Sequence, residues 1–222
     1  DDKSDFPVFA DVEIDGQVPD TAFKDYAFDY SKDFTVTPLA DEEDNYLCVH
    51  LEAGTHTMSL ALSAEPLREM FEKLEEIMNN INDLSLEVTK VAGTNKDKYR
   101  DFDLEAYIPN LGESLNAWAD ELDAMVDKMS VYNPDVKEIG ALSSIGIASN
   151  QLRSLAKKPN ELVYRMAELA TSTNSANQYL ANEIDTLNKN SLSVDRVWLF
   201  QEDSEKELPS GAGLWTSMTS SV

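Results

Sequence analysis

The sequence predicts an α+β chain: an antiparallel β-sandwich carrying an inserted antiparallel four-helix bundle. Three observations carry that prediction. Met70, Leu74, Ile77, Ile81, Leu84, Val88 and Val91 step by alternating fours and threes, with Glu72, Lys73, Glu75, Glu76, Asn79, Asn80, Asn82 and Asp83 between them. Apolar residues at that period line one stripe of a helix and need a partner surface. The block from 65 to 190 holds four such amphipathic segments, whereas the residues before it and just after it are rich in β-branched and aromatic types. Finally, an even number of antiparallel helices returns the chain close to where it left, so four helices fit between neighbouring strands ending near Leu62 and starting near Val194. The domains expected are a discontinuous sandwich over 1–64 plus 191–203, the bundle over 65–190, and a linker or tail over 204–222.

Taken in order, residues 6–14 (FPVFADVEI) read as a strand that stops at Asp15-Gly16, a strong hairpin-turn dipeptide. From 23 to 36, Phe23, Tyr26, Phe28, Tyr30 and Phe34 mostly share parity against Asp25, Asp29 and Asp33, the period of a strand with one wet face. An acidic loop, Asp41 to Asp44, precedes an expected hairpin: Tyr46–Leu51, a turn around Gly54, and His56–Leu62. Pro66 suits a first helical turn, so a helix runs from about 66 to 91 and Gly93 closes it. After a polar connection over 94–110, Leu111, Leu115, Trp118, Leu122, Met125 and Met129 form the second seam, with Trp118 read as core. Asn133-Pro134 caps and starts a third helix, 134–157, in which Gly140, Ala141, Ser143, Ser144, Gly146, Ala148 and Ser149 surround the seam. Small residues allow close backbone approach at about 1 kcal/mol per glycine, so this helix is expected at the centre; a loop is the rival reading. The fourth starts at Pro159-Asn160, with Leu162, Met166, Leu169, Thr173, Ala176, Leu180 and Leu187 as its seam, and the poor helix formers Thr171–Ser175 predict a kink or break. Residues 194–200 (VDRVWLF) are expected to be β again. Only five or six strands can be found, fewer than a two-sheet sandwich usually holds, so the sandwich is small or strands before Asp1 are missing.

Composition bounds the function. With 42 acidic against 18 basic side chains the formal charge is −24, which argues against nucleic acid or an anionic membrane as partner and favours neutral or cationic ligands. No apolar run approaches the ~20 residues that span a bilayer, and there is no signal peptide or initiating Met, so the chain reads as a processed or excised piece. Cys48 is the only cysteine, which rules out an intrachain disulfide and fits a bacterial protein. One cysteine and two histidines leave a four-ligand N/S zinc site nearly excluded.

LEAGTHTMSLAL, residues 51–62, resembles the penultimate-strand hairpin of galactose-binding-like β-sandwiches, in which an L-x-x-G-x-H turn precedes an alternating strand. VEIDG (12–16) and VDRVWLF (194–200) are similar to two further strands of that fold. More specifically, IGALSSIGIASNQLRSLAKKPNEL (139–162) and RMAELATSTNSANQYLANEIDTLNKNSLSVDRVWLFQED (165–203) resemble the helical region of very large extracellular solute-binding proteins of ABC sugar transporters in Gram-positive gut bacteria. The resemblance implies a jelly-roll with an inserted helical region, preceding a solute-binding domain that this stretch does not contain. It implies a cell-surface location, and membrane permease components as partners through the parent protein.

Candidate sites are few. Tyr26, Tyr30 and Trp198 could form an aromatic platform for a sugar ring, with Asp25 or Asp29 accepting hydroxyl protons; the competing reading is strand core. His50 and His56, across one hairpin, invite a metal or general-base role, but a structural histidine at the turn is the stronger reading. The Asp41–Asp44 run, like Asp1-Asp2 and Asp5, lacks the spacing of a calcium loop and reads as solvated. No Gly-rich phosphate loop, nucleophile elbow or His-Glu-x-x-His is present. The expectation is therefore a non-catalytic extracellular module, without cofactor or metal, that binds or positions a glycan or oligosaccharide and does not itself insert into the membrane. A ligand-free structural spacer or oligomerising bundle is the alternative, and a paired-carboxylate glycosidase the third.

Overall fold

The helix that the sequence dictates most directly is α1 (Glu65–Ala92). Pro66 lies in its first turn, where a missing N–H costs nothing, and no glycine interrupts it. Gly93 closes it at φ +71, its N–H donating to the Thr89 carbonyl at 2.9 Å. Met70, Leu74, Ile77, Ile81 and Val88 are at most 1% exposed and Leu84 5%. The stripe ends on Ala92 rather than the expected Val91, because a helix of 3.6 residues per turn drifts from a strict seven-residue repeat. The computed structural model describes residues 6–31, 33, 35–41, 43–93, 101–133, 140 and 142–199. They fall into two compact units: Leu67–Asn190 with the stretch ending at Phe6, and Pro7–Pro66 with the stretch beginning at Ser191.

In the helical unit α1 is followed by the single turn α2 (Leu104–Tyr107), α3 (Leu111–Met129), α4 (Ser143–Ala156) and α5 (Ala176–Asn188). Neighbours are antiparallel. Lys128 meets Glu69 near one end of the α1–α3 pair, and Lys73 lies 3.5 Å from Glu121 further along. Ser149 Oγ donates to the Ala119 carbonyl at 3.2 Å between α3 and α4, and Gln151 Nε2 donates to the Asn174 carbonyl at 2.8 Å just before α5. Asn177 Nδ2, donating to Asn82 Oδ1 at 3.1 Å, closes the ring from α5 back to α1. At one end of the unit Phe6 is buried edge-on against Tyr132, and its carbonyl accepts from Asn190 Nδ2.

Three details depart from the sequence reading. On α3 the buried position is Ala119, fully covered, and Trp118 is only half-buried. The methyl side lets α4 come close, whereas an indole in the seam would hold it away. On α4 the described helix begins at Ser143; residues 134–139 and 141 of the expected helix lie outside the described ones, and Gly140 and Leu142 take φ values of +91 and +67. The buried carboxylate of Glu183 accepts the Leu142 N–H at 3.2 Å, an anion placed where a helix N-terminus is positive. Of the small residues, Ala148 and Ser149 are buried, but a Cβ on Gly146 would meet nothing within 4 Å, so Gly146 does not serve close packing. Gly112 does: a Cβ there would lie 3.2 Å from the Ala156 carbonyl oxygen.

The expected fourth helix is broken more thoroughly than one kink. A 3₁₀ segment (Pro159–Tyr164) and a π turn (Ala167–Thr171) precede α5. Ser172 Oγ bonds the Ala167 carbonyl at 2.7 Å and Ser175 accepts from Gln178 N as N-cap, so the Thr171–Ser175 hydroxyls end one helical run and start the next. Arg165 stitches this stretch to α4, donating to the Ser154 carbonyl (3.0 Å) and hydroxyl (2.8 Å), while its Nε pairs with Glu168 in the π turn (2.8 Å).

The other unit holds a three-stranded antiparallel sheet in the order β2–β1–β3, from β1 (Val8–Ile14), β2 (Tyr26–Phe28) and β3 (Met58–Leu62). Ala10 lies opposite Tyr26 on one side and Leu62 on the other. The Asp15-Gly16 turn forms as expected, at φ +52 and +76 with Ile14 and Gln17 exchanging both backbone bonds. Among the described residues no second sheet faces this one, so a full sandwich is not formed by them. The return strand pairs with β1 instead of with 46–51. Tyr46 and Leu47 turn back on Leu39 and Ala40, because Asp41 Oδ1 takes the Glu43 and Asn45 N–H groups (2.9 Å each) and folds a local turn. Residues 191–199 form no strand and are almost wholly exposed, against the expectation of a closing strand at 194–200; Phe34 and Phe200, like the 201–222 tail, lie outside the described residues.

Because Gly146 sits within α4 at a helical φ with open space around it, Gly146→Ala is expected to stabilise the chain by about 0.5–1 kcal/mol through the unfolded-state entropy it removes. Ser149→Leu, one turn along at the closed α3 contact, is expected to cost about 1–3 kcal/mol. Urea unfolding of both variants checks the opposite signs.

Candidate functional site

The aromatic residues singled out from the sequence occupy different settings. Tyr26 lies in β2, half-buried, edge-on to Phe28 at 5.0 Å between ring centres, and its hydroxyl accepts the Ala40 N–H at 3.2 Å. Tyr30 and Trp198 are exposed by 45% and 43%, and Asp29 is exposed. Asp25, the other acceptor considered, is used internally: φ is +50, its N–H donates to Asp11 Oδ1 at 2.7 Å, and its carboxylate takes the Ser63 hydroxyl.

The histidines are not brought together. His50 has an 89% exposed side chain, 3.6 Å from Glu52 Oε1. His56 instead bridges two turns, Nδ1 to Asp15 Oδ2 at 2.7 Å and Nε2 to the Glu52 carbonyl at 2.7 Å. A carboxylate and a carbonyl only accept, so both ring nitrogens must carry hydrogen and the ring is held as a cation. The hydrogen bond to Asp15, then that to Glu52, raises the His56 pKa above its ordinary value. His56, helped by the Thr57 N–H, holds Asp15 below the usual carboxylate range. The Asp15 N–H also donates to the Thr57 carbonyl at 2.7 Å, so this cluster locks the β1 turn to the start of β3. Both ring nitrogens of His56 are thereby engaged in holding the two turns together. Asp41 is likewise consumed by its own turn, and among the described residues no three His, Cys, Asp or Glu side chains are placed to share a metal ion.

The feature that sequence reasoning missed is a groove of about 170 Å³ along the α1–α3 pair. Asn80, Asp83, Leu84 and Glu87 recur at helical spacing along α1; Leu111, Ser114 and Trp118 do so along α3, with Ile108 just before it. Leu84 and Leu111 are buried and make the floor, the half-buried indole of Trp118 makes a wall, and the exposed carboxylates of Asp83 and Glu87 stand at the rim. The sequence signal was present: Leu111, Leu115, Ala119, Leu122, Val126 and Met129 also fit one stripe, leaving Trp118 beside it. A bulky apolar residue simply outcompetes alanine in any reading by hydrophobicity.

Residues 69–187 match the family model described as bacterial solute-binding protein, 4-helix bundle domain, which is more than half of the 222 residues. No curated protein and no solved structure matches the chain. No described helix is long and apolar enough to cross a membrane.

The His56 cluster generates a pH signature. A raised folded-state pKa means its contribution is complete below the unfolded value of about 6.5 and fades as pH rises through the folded value. The depressed Asp15 contributes above about 3.9 and loses that as pH falls through its folded value. NMR titration is expected to find His56 above its ordinary pKa and to return it toward that value in Asp15→Asn. In His56→Gln, the loss of stability on the alkaline side should flatten.

Proposed function

This chain belongs to the family of bacterial solute-binding protein four-helix bundle domains, and on that footing we propose that it is a non-catalytic extracellular module of an ABC transporter's solute-binding protein, binding or positioning carbohydrate near the cell surface. The observation that carries the reading is the family match along the whole bundle, residues 69–187. The parent protein would present this module beside the solute-binding domain and deliver solute to membrane permease components, in a Gram-positive, surface-attached setting. The bundle over 65–190 and the β-rich remainder, 1–64 with 191–203, act as separate domains in this reading, with 204–222 as a linker or tail.

Carbohydrate would be met on the β-rich part, where Tyr30 and Trp198 offer exposed ring faces and Asp29 an exposed acceptor. Stacking on an apolar ring face plus a carboxylate acceptor is the chemistry that neutral sugars require. Tyr26 would contribute an edge, its hydroxyl already engaged by Ala40. The bundle's own seam is buried within the bundle, which suits a rigid spacer as a second role of the same module.

A glycan array followed by tryptophan fluorescence titration tests this. Binding is expected, with the signal lost in Trp198→Ala and weakened at least ten-fold in Tyr30→Ala while circular dichroism is unchanged. Binding that survives both substitutions would move the sugar site elsewhere, and absence of any glycan binding would leave the spacer role alone.

A further inference from the structure

The groove between α1 and α3 is placed differently from the sugar-contacting residues proposed above, and its chemistry is different. Along this helix pair some acidic side chains are met by cations: Glu69 by Lys128, and Glu76 and Glu121 by Lys73 at 2.6 and 3.5 Å. The two carboxylates at the groove are not among them. On its α3 side the groove presents Ser114 and Trp118, and among the described residues no lysine or arginine pairs with Asp83 or Glu87. Nor does the Trp118 indole N–H have a hydrogen-bond partner among them.

We propose that this groove binds a small organic ammonium: an amine on a ring-sized apolar body, seated on Leu84 and Leu111 against the face of Trp118, with its charge toward Asp83 and Glu87. Each part of the ligand answers one part of the site. A volume of about 170 Å³ suits a single six-membered ring, since an apolar cavity of about 150 Å³ accepts benzene. An indole attracts cations through its π face more strongly than any other side chain. Two carboxylates one helical turn apart reinforce that attraction, and the net charge of −24 raises the local concentration of cations before contact. A neutral ring would satisfy the floor and wall but leave the rim without a partner; an inorganic cation would satisfy the rim alone.

The test uses the full chain with Trp198→Phe and Trp215→Phe, leaving Trp118 as the only indole. Its fluorescence is titrated at constant ionic strength with cyclohexylammonium against cyclohexanol, and with glucosamine against glucose; calorimetry repeats each pair. At least one ammonium is expected to bind saturably, ten-fold or more tightly than its neutral counterpart, and more weakly at higher salt. A preference for glucosamine would identify an amino sugar as the source, and a preference for cyclohexylammonium a plain alkyl amine. Asp83→Asn with Glu87→Gln, both at exposed positions and therefore tolerable to the fold, should reduce that binding at least ten-fold with helix content unchanged. Equal binding of the neutral analogues, binding unaffected by the double substitution, or no saturation by either ammonium would overturn the proposal.

Discussion

The bundle answers to one demand, that the apolar stripe of α1 be taken out of water. Six side chains from Met70 to Val88 are essentially inaccessible, each contributing up to about 1.5–3 kcal/mol relative to exposure. One flanking helix could not cover them. α3 and α5 lie on either side of α1, and α4, which touches both, fills the diagonal. The close meeting of α3 and α4 at Ala119 and Ser149 is what lets four helices share one seam, and it is also why Trp118 was turned outward.

A chain with so many acids must distribute them. Much of the charge on the helical faces is arranged so that a few cations serve two partners each: Lys73 lies near Glu76 and Glu121, and Arg153 spans Asp120 and Asp123 at 2.7 and 2.6 Å. Such exposed pairs add little stability individually. Their effect is to set which helix faces which; among the described residues no such cation pairs with Asp83 or Glu87 on α1. In the β unit, acids are used differently. Asp15, Asp25 and Asp41 are taken up as acceptors that shape turns, two of them at positive φ. Composition treats these carboxylates as one population; the fold gives them two occupations.

Much of the fold was legible because it depends on short-range rules. α1 and its glycine stop, the α3 seam apart from one residue, the Asp15-Gly16 turn and the break near Thr171–Ser175 each follow from periodicity, capping or side-chain competition with the backbone. The strands were less legible. Residues 46–51 and 194–199 have the composition of strands, but a strand exists only if another edge accepts it. A single Asp41-centred turn was enough to send Tyr46 back toward Ala40. The candidate sugar residues were read from parity on one expected strand and one expected closing strand, and only the first of these forms, over Tyr26–Phe28.

By itself, then, the sequence determined the helical stripes, the turn at Asp15-Gly16, the acidic surface and, through the pattern of the bundle, the family to which the chain belongs. Those properties are carried by residues a few positions apart, where local geometry leaves little choice. Only the tertiary structure decided that Ala119 rather than Trp118 enters the seam, that β3 pairs with β1, that His56 binds Asp15 rather than facing His50, and that an indole and two exposed carboxylates line one groove. Each of these is a choice between partners far apart in the chain, settled by which surfaces fit at close range, and periodicity carries no information about the partner.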